Sequence, residues 1–107
     1  MTTADLYWAG ARQYRQVPTG RMVKTTRGNL KPETVGKEFV KTVSGQTYEL
    51  GAWYRAMREA VKAEGLQELL EEIKMHCRQL AWLRNETQVE EYALECLSLR
   101  SRLEVRS

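Results

Sequence analysis

The strongest constraint on this chain is the apolar rhythm between residues 66 and 105. Leu66, Leu69, Ile73, His76, Leu80 and Leu83 recur at alternating spacings of three and four, with Leu70 and Cys77 widening the stripe. After Arg84, Asn85, Glu86 and Thr87 the rhythm resumes through Val89, Tyr92, Cys96, Leu99 and Leu103. Such spacing puts one side of each segment on a packed seam, so residues 66–105 read as two amphipathic helices folded back on each other. Asn85 is the expected N-cap of the second helix, because its side-chain oxygen can accept from an orphan amide and Gln88 stands three residues on to answer it. A hairpin centred near residue 86 sets Ile73 opposite Leu99 and Cys77 opposite Cys96.

The charges favour the same arrangement. Glu64, Glu68, Glu71 and Glu72 crowd the start of the first helix and Arg78 and Arg84 its end. Glu86, Glu90 and Glu91 open the second, and Arg100, Arg102 and Arg106 close it. Each helix therefore complements its own dipole, and antiparallel packing lays each acidic end beside a basic one. These glutamates read as a solvated, dipole-matched face, since paired catalytic carboxylates would need a pocket and nothing in the sequence marks one.

A chain of 107 residues makes one domain, long enough to bury roughly 65% of its unfolded surface without staples. Two cysteines and no apolar run approaching ~18 residues point to a soluble, cytoplasmic protein without a membrane span. The first ten residues carry Asp5 and lack the basic start and apolar core of a signal peptide.

At the front, Thr2 or Thr3 can cap a short helix reaching about Tyr14, ended by Pro18, Thr19 and Gly20. Residues 21–26 have strand character, and Arg27, Gly28 and Asn29 form a turn. Residues 32–45 support two readings. Pro32 followed by Val35, Phe39 and Val43 suits a short helix, while Phe39, Val40, Thr42 and Val43 suit a strand paired with residues 21–26. A third helix is expected over residues 47–63, buried through Leu50, Trp53, Met57, Ala60 and Val61 and terminated by Gly65. The expected fold is thus mostly α, possibly α+β: a basic N-terminal layer over residues 1–45 and a three-helix region over residues 46–107.

On the helical reading of residues 32–43, Phe39, Val40, Val43, Leu50 and Trp53 fall at spacings similar to the buried positions of a helix-turn-helix, with Ser44, Gly45 and Gln46 as the turn. Gly45 stands where that motif needs an apolar residue, and Glu49 would face phosphate, so no base-reading residue is carried over. The two thiols and the single histidine, His76, fall short of the four ligands of a structural zinc. Without a P-loop, a glycine-rich dinucleotide turn or an acid/base pair, the chain is expected to be no enzyme and to hold no cofactor or metal.

Two functions remain. Between Asp5 and Glu33 there is no acidic residue, and Arg12, Arg15, Arg21, Lys24, Arg27 and Lys31 interleave with Tyr7, Trp8 and Tyr14. Guanidinium and ammonium groups can take phosphates while the rings of Trp8 and Tyr14 stack on bases, so a nucleic acid, single-stranded or duplex, is the expected partner. The alternative is a protein-interaction module or inhibitor, for example a phage or plasmid anti-defence protein (anti-CRISPR-like) that blocks a nucleic-acid-processing protein complex. Leu94, Leu97 and Val105 support it, because they lie off the seam of the last helix and would be exposed in a bare hairpin. Either function suits a monomer or a homodimer.

Overall fold

The computed structural model describes the backbone of residues 2–106 and the side chains of residues 2–99. Gly28 has φ +85°, a left-handed conformation in which a side chain would be strained. It closes a three-residue loop in which the Thr25 amide donates to the Asn29 carbonyl at 2.7 Å and the Gly28 amide to the Thr25 carbonyl at 3.0 Å. From this turn the chain runs back on itself as two long antiparallel strands, β1 (Gln13–Lys24) and β2 (Leu30–Lys41). Their register pairs Val17 with Val35 and Met22 with Pro32, and it slips between Pro18 and Met22. Two extra residues of β1 are accommodated there, with Gly20 at φ +86° in the bulge. A short β3 (Thr47–Glu49) pairs with the root of β2 and completes a three-stranded antiparallel sheet.

Only the root of this sheet meets the rest of the chain. Residues Ala4–Leu6 form a single 3-10 turn, after which Trp8 bridges to Thr42 and lies beside the sheet. Three helices follow: α1 (Leu50–Ala63), α2 (Gln67–Cys77) and α3 (Glu86–Arg106). Trp53 of α1 is wholly buried and donates its indole N–H to the Leu6 carbonyl at 2.7 Å, fixing the N-terminal turn to the helix. Thr3 repeats the tie at the other end of α1, its amide and hydroxyl both donating to the Glu64 carboxylate at 3.0 and 2.6 Å. Leu6, Val40, Trp53, Met57, Val61, Leu70, Ala93, Leu94 and Leu97 make up most of one continuous core. Gly65, at φ +69°, ends α1 as the sequence anticipates: the Leu66 amide reaches the Val61 carbonyl and the Gly65 amide the Lys62 carbonyl. Asn85 caps α3 by accepting from the Gln88 amide at 2.8 Å, and Gln88 in turn accepts from the Arg84 amide at 2.8 Å.

Several expectations are overturned. The protein is α+β, a three-stranded sheet followed by three helices, and not mostly α. The N-terminal helix is replaced by the turn at Ala4–Leu6, and by Gln13 the chain is already in β1. Residues 30–41 are strand, so the resemblance to a helix-turn-helix has no helix to rest on, and Gly45 at φ +90° is a tight turn into β3. The first helix of the C-terminal pair stops at Cys77, and residues 78–85 tighten into turns that carry Leu80 and Leu83. The seam of α3 is also shifted. Val89, Ala93, Leu94, Leu97 and Ser98 face the core, whereas Leu99, expected opposite Ile73, is 45% exposed. The reason is that α1 and the N-terminal turn both pack against α3, and Leu94 and Leu97, which a bare hairpin would leave in water, join the core they share with it. Leu103, Val105 and the arginines at 100, 102 and 106 lie outside the described side chains.

Candidate nucleic-acid interface

A two-stranded ribbon with both faces in water has no core of its own, and isolated hairpins of this kind are marginal in stability. Beyond its root, every residue of β1 and β2 from Gln16 to Gly36 is exposed or only half-buried. The radius of gyration is 17.4 Å, against about 13 Å for a compact chain of this length. The molecule measures 56 × 33 × 24 Å, so the distal ribbon stands out as an arm. At ~3.3 Å per residue, the nine residues from Gln16 to Lys24 reach roughly 30 Å.

Strand alternation sorts the arm into two faces. On one lie Tyr14, Gln16, Pro18, Met22 and Lys24 of β1 with Leu30, Pro32, Thr34, Gly36 and Glu38 of β2. The other carries Gln13, Arg15, Val17 and Val23 with Lys31, Glu33, Val35, Lys37 and Phe39. Basic side chains outnumber acidic ones over residues 13–41 by seven to two.

The eight residues that sequence reasoning assigned to nucleic acid divide into two groups. Arg12, at the root, is committed internally: its guanidinium pairs with Glu38 at 3.2 Å, contacts Glu95 of α3, and lies 5.2 Å from the centre of the Trp8 ring. Trp8 packs on Trp53, ring centres 5.3 Å apart and planes tilted at 59°, so the ring meant for stacking on a base is already engaged within the protein. Arg15 lies 5.3 Å over Phe39 and donates to the Gln13 side-chain carbonyl at 2.6 Å. Tyr14 is 67% exposed, but its phenol lies across Gly36, where an added Cβ would sit 1.4 Å from the hydroxyl oxygen. An aromatic ring spread over a strand glycine restores the packing that the missing side chain forgoes. Arg21, Lys24, Arg27 and Lys31 form the second group, spread around the distal third of the arm, and no ion pair among the described residues engages them. The acid of that region, Glu33, accepts from the Thr19 hydroxyl at 2.9 Å.

Sequence reasoning passed over Met22, Leu30 and Pro32, which are solvent-exposed on one face of the distal arm. In a sequence such residues read as core, and only the register of the ribbon reveals that nothing covers them.

A second feature lies in the helical body. Ile73, His76, Cys77, Leu80, Tyr92 and Cys96 line a mainly apolar cleft of about 350 Å³ between α2 and α3. Cys77 and Cys96 are free thiols side by side across the seam, as the hairpin register implies. Burial pushes both above the ordinary thiol range, and for Cys96 the neighbouring Cys77 adds to the rise. No group of three or more His, Cys, Asp or Glu among the described residues is arranged to hold a metal ion. No described helix is long and apolar enough to cross a membrane.

Comparison with protein-family models, with curated proteins and with solved structures finds no match to this chain.

Proposed function

We propose that this protein is a non-enzymatic binder of duplex DNA and that the β1–β2 arm is its contact surface. The observation that carries the reading is the position of Arg21, Lys24, Arg27 and Lys31, gathered on a narrow ribbon held away from the body with no internal ion partner among the described residues. Cations that served only solubility would be scattered over the body. Here they occupy a ribbon in which no residue from Gln16 to Gly36 is buried.

The shape favours a duplex over a single strand. Two-stranded ribbons enter either groove of B-form DNA, whereas side chains cannot read the deep, narrow major groove of an RNA helix. Single-strand binders rely on several open aromatic platforms in succession, whereas here Trp8 lies against Trp53 and leaves Tyr14 as the one exposed ring of the two. The body supplies the rigid mount, since the Arg12 contacts to Glu38 and Glu95 tie the arm's root to α3.

The test is a salt titration of binding to a short labelled DNA duplex by fluorescence anisotropy. Four phosphate contacts predict a slope of log affinity against log salt of about −3.6, with weaker binding to a single strand. Absence of binding at low salt, or an affinity that does not change with salt, contradicts the proposal.

A further inference from the structure

The apolar side chains on the distal arm have a consequence for how a duplex would be held. Met22 pairs with Pro32 and Lys24 with Leu30, so Met22, Pro32 and Leu30 share one face next to the turn. Met22 is 56% and Leu30 62% exposed, and Pro32 beside them is exposed too. Large apolar groups at the far end of an arm add nothing to the core, and water penalises their exposure. Lys24 shares their face and Arg27 stands at the turn, while by strand alternation Glu33 falls on the opposite face, its carboxylate held at the bulge by Thr19. The apolar face of the distal arm is therefore flanked by cations and free of carboxylates. Pro32 also stiffens the β2 strand at this point, since its ring fixes φ.

Resting on the duplex-DNA reading above, we propose that Met22, Leu30 and Pro32 act as a wedge that enters the minor groove and partly unstacks a base step, so that the protein bends the DNA it binds. Apolar side chains inserted at a base step replace base–base contacts with side-chain contacts and open the minor groove, while nearby cations take the phosphates drawn together by the bend. The charge arrangement names the occupant: a polyanion whose interior is apolar once a step is opened. Kinks made this way span about 20–90°.

The experiment measures end-to-end energy transfer and affinity on a doubly labelled linear duplex, and affinity on the same duplex carrying an unpaired two-nucleotide bulge that is already unstacked. The parent should raise the energy transfer and prefer the bulged duplex. The double variant Met22→Gln, Leu30→Gln keeps side chains of similar size and every charge. It should lose the energy-transfer change and bind the linear duplex roughly tenfold more weakly, while its affinity for the bulged duplex falls much less, because the unstacking cost has been removed from that substrate. Both residues are exposed, so the melting temperature should stay at the parental value and report that the fold is intact. Binding of the parent to linear duplex with no change in energy transfer, or bending by the variant equal to the parent's, overturns the wedge and leaves the binding reading standing. No binding to either duplex overturns both. Tighter binding of the parent to phosphatidylserine-containing vesicles than to DNA, lost in the double variant, assigns the apolar face to a lipid surface and also overturns the wedge.

Discussion

The helical body and the arm obey different rules of construction. In the body, Trp53, Met57, Val61, Leu94 and Leu97 are almost wholly removed from water, and the N-terminal turn is fastened to α1 by hydrogen bonds from Trp53 and Thr3. In the arm, twelve-residue strands pair along their length with neither distal face covered. Its fixed features are the left-handed Gly28 turn, the bulge at Gly20 and the Tyr14 ring across Gly36 within the arm, and at its root Arg12 clamped to the body. Burial explains why the body exists, but it does not explain the arm. A long ribbon that contributes little to folding is understandable as a surface presented to something else.

Substitutions should separate the two regions sharply. The largest effect is expected for Trp53→Ala, which empties the centre of the core and orphans the Leu6 carbonyl. Loss of a buried aromatic costs ~3–5 kcal/mol, enough at ~4–8 °C per kcal/mol to lower the melting temperature by more than ten degrees. Thermal unfolding followed by far-ultraviolet circular dichroism measures it. Were the melting temperature unchanged, Trp53 would not be the anchor and the division into body and arm would need to be redrawn.

A smaller effect is expected at the cleft between α2 and α3. A mild thiol oxidant should join Cys77 to Cys96 within one chain, giving a more compact band on a non-reducing gel and no disulfide-linked dimer. Because burial raises both thiols, the neutral forms dominate near neutrality. The reaction should therefore speed up as the pH rises, since the thiolate is the reactive species. This bridge staples the body alone, so DNA binding by the arm should be little affected. Intermolecular bridges only would place the thiols apart.

The division between body and arm also decides what a reader of the sequence can find. The helices announce themselves because burial imposes a period: Trp53, Met57, Ala60 and Val61 recur on one side of α1, and Leu70, Ile73 and Cys77 on one side of α2. The caps at Gly65 and Asn85 are legible because their backbone geometry requires particular residue types. The seam of α3 is harder, because its apolar residues lie on two sides. The stripe through Val89, Tyr92, Cys96 and Leu99 fits a helical hairpin as well as the stripe through Ala93, Leu94 and Leu97, and the choice between them rests on α1, whose position no local pattern encodes. The arm is nearly invisible for the opposite reason. With water on both faces there is no alternation to read, so residues 11–20 resemble a helix or a loop as much as a strand. The charge excess of the candidate site is legible at Arg21, Lys24, Arg27 and Lys31, whereas the commitment of Arg12 to Glu38 and Glu95 depends on partners 26 and 83 residues away. Met22, Leu30 and Pro32 acquire meaning only once the register sets them on one face.

If Arg21, Lys24, Arg27 and Lys31, which no ion pair among the described residues engages, bind DNA and contribute nothing to folding, the quadruple reversal Arg21→Glu, Lys24→Glu, Arg27→Glu, Lys31→Glu should separate binding from stability. Its affinity for a short DNA duplex at low salt should be measured beside its melting temperature. Binding should disappear while the protein still unfolds cooperatively and the melting temperature falls by no more than about ten degrees, because each exposed substitution usually changes stability by no more than about 0.5 kcal/mol. Retained binding with an intact fold would contradict it, as would a collapse of the fold itself, which would make these cations part of the structure.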